Sequence, residues 1–298
     1  MNKYDIIGDI HGHADELEQL LQKMGYKRKN GVYSHPEGRK VIFVGDFIDR
    51  GPKIRETLHL VRDMVVAGHA QAVMGNHEYN AVCFHTPHTE IGKGFFRKHS
   101  IKKIEQHIET LKQFKNYPNE WDEFVEWFRD LPLFLDLSEC RVVHAYWNDD
   151  HINWLKNNNY NGLTSEFLSL STKKGSKEFD IVEETLKGVE GKINNGGFII
   201  DKDGNKREEC RLRWWRNDRN FYGDFYLDCP DDIAQVPLED DFKSINYQGD
   251  VNVFFGHYWL NGNPKTINNK CICLDYSVAR GGKLVAARLN GDVFEYVY

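Results

Sequence analysis

The sequence predicts an α/β protein in which two β-sheets pack face to face and helices cover the outside. In residues 1–80, short apolar runs that end at glycine alternate with amphipathic helical patterns, which is typical of a parallel sheet covered by helices. In the C-terminal third, apolar runs at 251–255, 271–274, 284–289 and 293–297 predict four more strands. These additional strands lead us to expect a second sheet.

Three apolar runs near the N-terminus predict parallel strands, at residues 4–10, 41–44 and 72–74. Continuous apolar runs are typical of strands that helices bury on both faces. Two helices are predicted between them, from apolar residues at helical spacing: Leu17, Leu20, Leu21 and Met24, then Ile54, Leu58, Val61 and Val65. The result is a pair of βαβ units, whose ligands are expected beyond the carboxyl ends of the strands.

Three polar motifs stand at those strand ends. They are Gly-Asp-Ile-His-Gly at 8–12, Gly-Asp-Phe-Ile-Asp-Arg-Gly at 45–51 and Gly-Asn-His-Glu at 75–78. Their ligand groups include no thiolate, whereas a structural zinc site is usually rich in cysteine. A mixed oxygen and nitrogen set favours Mn, Fe or Zn in a catalytic role. The motifs therefore predict most of a two-metal hydrolytic centre, in which one aspartate can bridge the ions.

Two later histidines complete the predicted ligand set. His144 follows the apolar run 141–143, and His257 follows the run 251–255. Each motif taken alone is compatible with an ordinary turn or a hydrogen-bonded histidine. Five such motifs, each directly after a predicted strand, are hard to obtain by chance, so we interpret them together as one site.

The three N-terminal motifs resemble the signature of the calcineurin-like metallophosphoesterases, and more narrowly the GDxHG, GDxxDRG and GNHE motifs of the phosphoprotein phosphatase branch. The resemblance is strong over residues 1–80 and moderate over 140–147 and 250–298. The stretch at 273–284, Cys-Leu-Asp-Tyr-Ser-Val-Ala-Arg-Gly-Gly-Lys-Leu, is similar to bacterial members that include symmetrical diadenosine tetraphosphatases. The resemblance implies a β-sandwich flanked by helices and two-metal hydrolysis of phosphoester or phosphoanhydride bonds.

The resemblance also implies a role for each motif residue. The implied metal ligands are Asp9 and His11 for the first ion, Asp46 as the bridge, and Asn76, His144 and His257 for the second. Arg50 would hold phosphate oxygens, for which a planar guanidinium is suited. His77 would be the general acid and Asp49 would orient it, because a carboxylate keeps an imidazole protonated. Glu78 is interpreted as structural.

The implied reaction is attack of a metal-bridging hydroxide on phosphorus, as in protein serine/threonine phosphatases. The alternatives are a dinucleoside polyphosphate hydrolase, a nucleic-acid end-processing enzyme and a non-catalytic binding module on the same scaffold. Tyr146, Tyr258 and Trp259 are bulkier than the residues usual in the family and predict a narrowed site. Manganese is the expected metal, with iron or zinc as alternatives.

A segment at 207–219 is a second candidate for substrate binding. It contains Arg207, Arg211, Arg213, Trp214, Trp215, Arg216 and Arg219. This mixture is compatible with a nucleotide platform that combines stacking and phosphate pairing, and equally with a surface strand that forms ordinary ion pairs. Because the resemblance implies a further phosphate-binding arginine between the two late histidines, Arg213 or Arg216 is predicted to reach the site.

The length of 298 residues suits one domain over 1–298, with a helical insertion at 80–135 and a mixed cap at 148–220. Trp121, Phe124, Val125 and Phe128 predict a helix in the first insertion. In the second, turn-rich stretches at 194–197 and 201–205 flank the apolar run 198–200 and predict a hairpin.

The net charge of -6 disfavours a duplex nucleic-acid partner, because proteins that bind the phosphate backbone carry an excess of basic residues. None of the six cysteines forms a Cys-x-x-Cys motif, and no apolar run approaches membrane length. We therefore expect a cytoplasmic protein with reduced thiols. The expected partner is a phosphorylated protein or a nucleotide.

Overall fold

The computed structural model describes residues 3–88, 90, 92–193, 198–200, 206–216, 218–238, 245–266 and 270–298. The helices in this part of the chain are α1 Ala14–Lys23, α2 Ile54–Val66, α3 Asn76–His85, α4 Ile101–Phe114, α5 Pro118–Asp130, α6 Asp149–Asn157, α7 Ser165–Ser171, α8 Lys177–Lys187 and α9 Tyr222–Phe225. The strands are β1 Tyr4–Ile7, β2 Lys27–Lys29, β3 Val32–Ser34, β4 Lys40–Phe43, β5 Ala70–Ala72, β6 Phe134–Asp136, β7 Arg141–Val143, β8 Glu190–Lys192, β9 Ile199–Ile200, β10 Lys206–Arg207, β11 Glu209–Arg211, β12 Val253–Phe255, β13 Cys271–Cys273, β14 Asp275–Tyr276, β15 Lys283–Leu284, β16 Ala286–Asn290 and β17 Val293–Val297.

Two larger sheets form the centre of the protein. The first has the strand order β17-β16-β1-β4-β5, and the second has the order β13-β12-β7-β6. Strands β1, β4 and β5 run parallel to one another, as do β7, β12 and β13, whereas β16, β17 and β6 are antiparallel additions. Each sheet therefore directs the carboxyl ends of its three parallel strands toward one edge, where ligands are expected.

An apolar layer joins the two sheets. Ile6 of β1 and Ile42 of β4 belong to the same buried cluster as Val142, Phe254 and Ile272 of the second sheet. Alternate residues of each strand face this layer, and a second cluster of buried side chains packs the helices against the outer faces. The predicted arrangement of two packed sheets flanked by helices is confirmed.

The third predicted strand was placed slightly too late in the chain. It covers Ala70–Ala72 rather than residues 72–74. Met74 has already left the ladder, because its amide donates to the carbonyl oxygen of Pro132 at 2.8 Å. Val73 still pairs with β4, because its amide donates to the carbonyl oxygen of Phe43 at 3.0 Å, whereas the apolar character of Met74 reflects burial outside the ladder.

The two regions predicted as insertions contain the expected kinds of structure. Residues 80–135 hold the end of α3 with α4 and α5, and residues 148–220 hold α6 to α8 with short strands. The predicted hairpin is present as the antiparallel pair β9 and β10, while its turn residues 194–197 and 201–205 lie outside the described residues. The division into one domain with two insertions stays a prediction. Within the described part of the chain, no helix combines the length and apolarity needed to cross a bilayer.

Candidate metal centre

The six predicted metal ligands lie at the carboxyl edge of the two sheets. Five parallel strands each deliver one or two of them within a few residues of the strand end: Asp9 and His11 after β1, Asp46 after β4, Asn76 after β5, His144 after β7 and His257 after β12. All six side chains are buried. The topology thus brings residues that are up to 248 positions apart into one place.

Asp46 lies at the middle of this group. Its Oδ2 is 3.6 Å from His11 Nε2 and 3.3 Å from His144 Nε2. Ligand atoms of Asp46, His144 and His257 lie within 4.8 Å of one another, as do those of His11, Asp46 and His77. The Oδ1 of Asn76 is 3.1 Å from His144 Nε2. Asp46 therefore belongs to both clusters, which is the position that a bridging carboxylate must have.

Backbone carbonyl groups orient two of the imidazoles toward this centre. His11 Nδ1 lies 2.8 Å from the carbonyl oxygen of Ile48, and His144 Nδ1 lies 2.8 Å from that of Val44. In each ring Nδ1 lies against a carbonyl oxygen, which turns Nε2 toward the centre. This is the outer hydrogen bond that fixes the tautomer of metal-binding histidines.

Three buried polar atoms at the centre lack a hydrogen-bond partner among the described residues. They are Asp9 Oδ1, His11 Nε2 and His257 Nε2. The second oxygen of Asp9 accepts from the His257 amide at 3.0 Å. Leaving a buried polar atom unsatisfied is costly, and a pair of divalent ions would satisfy all three. The donor set and its orphaned atoms therefore fit a pair of divalent cations, as the resemblance implies.

The backbone around the centre is strained. Several residues other than glycine have positive φ values between 45° and 73°, namely His11, Asp46, Asp49, Arg50, His257 and Trp259. Such conformations cost on the order of 1–3 kcal/mol each and persist where the surroundings over-determine them, often at functional sites. Gly256 permits the close approach of two loops, because a Cβ there would lie 1.8 Å from Asp9 Oδ1.

Glu78 holds the loops of the second and third motifs together. Its buried carboxylate accepts from the amides of Asp46 and Phe47 at 2.8 Å each and of Gly75 at 3.0 Å. Burial raises the pKa of this carboxyl group, and the nearby charge of Asp46 raises it further. Glu78 thus acts on the loops rather than on a ligand, in agreement with the structural interpretation of its motif position.

The electrostatics favour neutral imidazoles at two ligand positions. Burial, followed by the charge of His77, lowers the pKa of His11 to about 3. Burial and then the charge of Arg211 hold the pKa of His257 well below its ordinary value. For Asp46, burial acts to raise the pKa, but attraction to His144 and His77 outweighs it and lowers the pKa well below normal. Neutral imidazole and ionised carboxylate are the forms that bind metal. At His144, burial acts to lower the pKa, but the charge of Asp46 outweighs it and raises the pKa to about 10, so this imidazole must lose its proton when an ion binds.

His77 and Asp49 form a hydrogen-bonded pair beside the ligands. His77 Nδ1 lies 2.5 Å from Asp49 Oδ2. Burial acts to lower the pKa of His77, but Asp46 and the bond to Asp49 outweigh it and raise the pKa above the ordinary value. The Nε2 of His77 remains directed toward the centre, 3.9 Å from Asp46 Oδ2. This geometry suits a proton donor.

Two residues that the sequence interpretation missed support this pair from α4. His107 Nδ1 lies 2.7 Å from Asp49 Oδ1, and the Thr110 hydroxyl donates to the same oxygen at 2.6 Å. Both side chains are buried on the inner face of an amphipathic helix. Their signal in the sequence is a polar pair at i, i+3 spacing where apolar residues are expected.

Arg50 stacks on Trp259 at the rim. Its guanidinium carbon is 4.2 Å from the indole centroid, and that of Arg280 is 4.3 Å from the same indole. Arg50 Nη2 lies 3.5 Å from His77 Nε2. The indole therefore holds two guanidinium groups beside the metal centre, where cation–π attraction limits their movement.

A cavity of ≈ 1220 Å³ opens from the metal centre, and Arg50, His77, Arg211, Trp259 and Arg280 are among its lining residues. Its size is above the usual range of small-molecule sites, about 300–1,000 Å³. Of the three residues predicted to narrow the site, Tyr258 and Trp259 border this cavity, whereas Tyr146 is not among its described lining residues. Tyr146 and Tyr258 are buried, where they pack against Trp214 and Trp215.

Of the two arginines predicted to reach the site, Arg213 borders the cavity, whereas Arg216 is not among its described lining residues. The Arg213 guanidinium donates to the carbonyl oxygens of Gly223 at 2.7 Å and Leu227 at 2.9 Å. Arg216 pairs with Asp218 at 2.9 Å. Arg211 does line the cavity, and its charge acts on His257. The structure brings Arg211, rather than Arg216, to the site.

The nucleotide-platform interpretation of this segment is also wrong. Trp214 and Trp215 are fully buried, and the Trp214 indole N–H donates to the carbonyl oxygen of Ala145 at 3.0 Å. Both rings pack against Phe255 of β12. Their faces are part of the core and are closed to a base.

The chain matches a known protein family and several curated relatives. The sequence profile of the family described as calcineurin-like phosphoesterase matches residues 3–285. A bis(5'-nucleosyl)-tetraphosphatase PrpE [asymmetrical] from Oceanobacillus iheyensis is 36% identical over 144 residues, which are 48% of this chain and 55% of that relative. The protein of the same name from Bacillus subtilis is 37% identical over 152 residues, 50% of this chain and 59% of the relative. The chain thus spans little more than half the length of these curated relatives.

Solved structures share the fold at low sequence identity. A serine/threonine phosphatase from Saccharomyces cerevisiae, with similarity to human phosphatase PP5, superposes with a TM-score of 0.52 at 14% identity, covering 99% of this chain and 79% of that one. A cold-active protein tyrosine phosphatase superposes with a TM-score of 0.50 at 18% identity, covering 99% and 78%. The family profile spans nearly the whole chain and the ligand motifs converge as that family requires, so the chain belongs to the calcineurin-like phosphoesterases.

Proposed function

We propose that the protein is a hydrolase that cleaves phosphoester or phosphoanhydride bonds with the help of two divalent metal ions. The observation that carries this proposal is the burial of six candidate ligands at one edge of the sheets, with Asp46 in both of their clusters and three of their polar atoms left without a partner in the described part of the chain. A non-catalytic scaffold has no need to keep such a costly arrangement. The binding-module alternative is therefore disfavoured.

Each residue of the centre has a proposed role toward the metals. Asp9 and His11 hold one ion, Asn76, His144 and His257 hold the other, and Asp46 is shared. A pair of divalent cations supplies Lewis acidity toward phosphate oxygens and lowers the pKa of bound water toward neutrality. Manganese is the proposed metal, with iron or zinc as alternatives, because the ligands are a mixture of oxygen and imidazole nitrogen.

The remaining residues of the site act on the substrate itself. Arg50 and Arg211 present guanidinium groups to the phosphate oxygens, and their planar shape permits paired hydrogen bonds. His77 donates a proton from Nε2 to the departing oxygen, while Asp49 holds Nδ1 at 2.5 Å and keeps the ring protonated. Proton donation of this kind contributes about 10²–10⁴-fold to rate.

The proposed substrates are phosphorylated serine or threonine in proteins, or dinucleoside polyphosphates as the second candidate. The second candidate is favoured by the relatives at 36% and 37% identity, which are named as bis(5'-nucleosyl)-tetraphosphatases. The cavity of ≈ 1220 Å³ has room for a ligand of that size. A cytoplasmic location and the lack of a duplex nucleic-acid partner remain part of this proposal.

The direct test is a hydrolysis assay with added manganese. The panel contains phenyl phosphate, a phosphoserine peptide and diadenosine tetraphosphate, and Asp46→Asn serves as the control for contaminating activity. We expect phosphate or nucleotide release by the wild-type protein and none by the variant. Lack of turnover on every substrate, in a folded protein that has bound its metal, would contradict the proposal.

A further inference from the structure

The cavity carries a second group of cationic side chains, away from the metal centre. Arg97, Lys103 and Lys187 all line it. They come from three separate elements, because Arg97 precedes α4, Lys103 lies in the first turn of α4 and Lys187 ends α8. The tertiary structure therefore brings these three cations together. They form a locally basic group in a chain whose net charge is -6.

The position of Arg97 relative to the proposed proton donor is fixed by a hydrogen bond. Its Nη1 donates to Asn80 Oδ1 at 2.5 Å, and its Nη2 donates to Gln106 Oε1 at 3.0 Å. Asn80 lies on α3 three residues after His77, and residues at this spacing share a helix face at about 5–6 Å between their Cβ atoms. Arg97 is therefore held about one helical turn beyond His77.

Acidic groups only partly neutralise this cluster. Lys187 pairs with Glu183, and both partners of Arg97 are uncharged amides. Lys103 has neither an ion pair nor a side-chain hydrogen bond within the described residues, although Glu105 and Glu109 border the same cavity. Burial lowers the pKa of Lys103, and repulsion from Arg97, Lys187 and Lys98 lowers it further. Cations that repel one another in a cleft attract anions to it.

We infer that Arg97, Lys103 and Lys187 form an anion subsite that binds further phosphate groups on the leaving group of the substrate. The inference rests on the proposed function, since it places the subsite beyond His77, which protonates that leaving group. The substrate class that satisfies both sites is a phosphoanhydride with a chain of phosphates, such as a dinucleoside or nucleoside polyphosphate. A neutral leaving group, such as phenol, carries no anionic group that could pair with the three cations.

The kinetic test compares two substrates in wild-type protein, Lys103→Gln and the control Lys102→Gln, with manganese present. Lys102 is the exposed neighbour on the same helix turn and is not among the described cavity residues. We expect Lys103→Gln to lower kcat/KM for diadenosine tetraphosphate about tenfold relative to kcat/KM for phenyl phosphate. Lys102→Gln should keep the wild-type ratio. A tenfold change corresponds to one charge-assisted contact of about 1.4 kcal/mol.

A binding measurement on the metal-free protein tests the subsite without catalysis. Inorganic tripolyphosphate is titrated into each variant by calorimetry, and Lys103→Gln should weaken its binding several-fold while Lys102→Gln does not. Equal losses of kcat/KM for both substrates, or unchanged binding of tripolyphosphate by Lys103→Gln, would overturn the subsite without contradicting the proposed hydrolase. A wild-type protein that turns over neither substrate would overturn the proposed function and the subsite with it.

Discussion

His77 Nδ1 and Asp49 Oδ2 lie 2.5 Å apart, and the other oxygen of Asp49 accepts from His107 and Thr110. The carboxylate is therefore fixed from one side while it holds the imidazole from the other. We expect Asp49→Asn to lower kcat by roughly 10²-fold, at the lower end of the effect of general acid catalysis, while metal content measured by plasma mass spectrometry stays unchanged.

The same variant has a predictable pH dependence. Although burial acts to lower the pKa of His77, Asp46 and Asp49 raise it above the ordinary value, so the protonated donor persists to higher pH and activity declines as pH rises through that pKa. Removing the charge of Asp49 lowers the pKa, and the alkaline limb of the kcat profile should move to lower pH. An alkaline limb that stays in place would contradict the role of the pair.

The role of His77 as proton donor can be tested by comparing the activity of His77→Ala on two esters whose leaving groups differ. Phenol leaves poorly without a proton, whereas p-nitrophenol leaves readily, so the variant should lose about 10²–10⁴-fold in kcat on phenyl phosphate and much less on p-nitrophenyl phosphate. Metal content should match that of the wild type, because Asn76 and not His77 is the proposed ligand on α3. Equal losses on the two esters would show that His77 acts in some other way.

Gly256→Ala should weaken metal binding at the proposed first site. A Cβ at this position would lie 1.8 Å from Asp9 Oδ1, so the Asp9 carboxylate has to move away from the centre. We expect the variant, after dialysis against manganese, to hold less than the wild-type amount of metal and to lose most activity.

Gly262→Ala is the control for this substitution. A Cβ at Gly262 meets nothing within 4 Å, although its φ of +82° makes alanine mildly strained. It should cost some thermal stability and keep the full metal content. A Gly256→Ala protein with full metal and activity would mean that Asp9 is not held where the structure has it.

Asp5, which is not part of the metal centre, allows the contribution of a buried ion pair to stability to be tested. It is fully buried and accepts from Arg39 at 2.8 Å, Arg288 at 3.0 Å and the Tyr26 hydroxyl at 2.9 Å. Removing one partner of a buried ion pair typically costs about 3–5 kcal/mol. Asp5→Asn should lower the free energy of unfolding in urea at pH 7 by this amount. Asp15→Asn, in the exposed pair with Lys53, should cost at most about 1 kcal/mol.

The cost of Asp5→Asn should depend on pH. Burial acts to raise the pKa of Asp5, but the hydrogen bonds from Arg288 and Arg39 outweigh it, so the folded pKa is lowered. The stabilisation is present above the unfolded carboxyl pKa of about 3.9 and is lost as pH falls through the lower folded value. The difference between variant and wild type should therefore shrink below about pH 4. A difference that stays constant from pH 7 to pH 3 would argue against this linkage.

The sheets, and the meeting of the candidate ligands at one edge, could be predicted from the sequence because both follow from short-range patterns. Apolar runs define the strands, and parallel topology then brings Asp46 and His144 to one edge. His107 and Arg211 could not be assigned in this way, because their positions depend on how α4 and β11 pack against the sheets. For the same reason the segment that contains Trp214 stayed open between a nucleotide platform and a surface strand, and only the contact of its indole with Phe255 shows that it belongs to the core.

Asp46 is proposed to be shared by two metal ions, and anomalous diffraction from crystals grown with manganese would locate both ions. We expect two anomalous peaks about 3.5–4 Å apart, with the Asp46 carboxylate between them and His11 and His257 at different peaks. Asp46→Asn crystals should lose at least one peak. A single peak, or two peaks that do not share Asp46, would contradict the account.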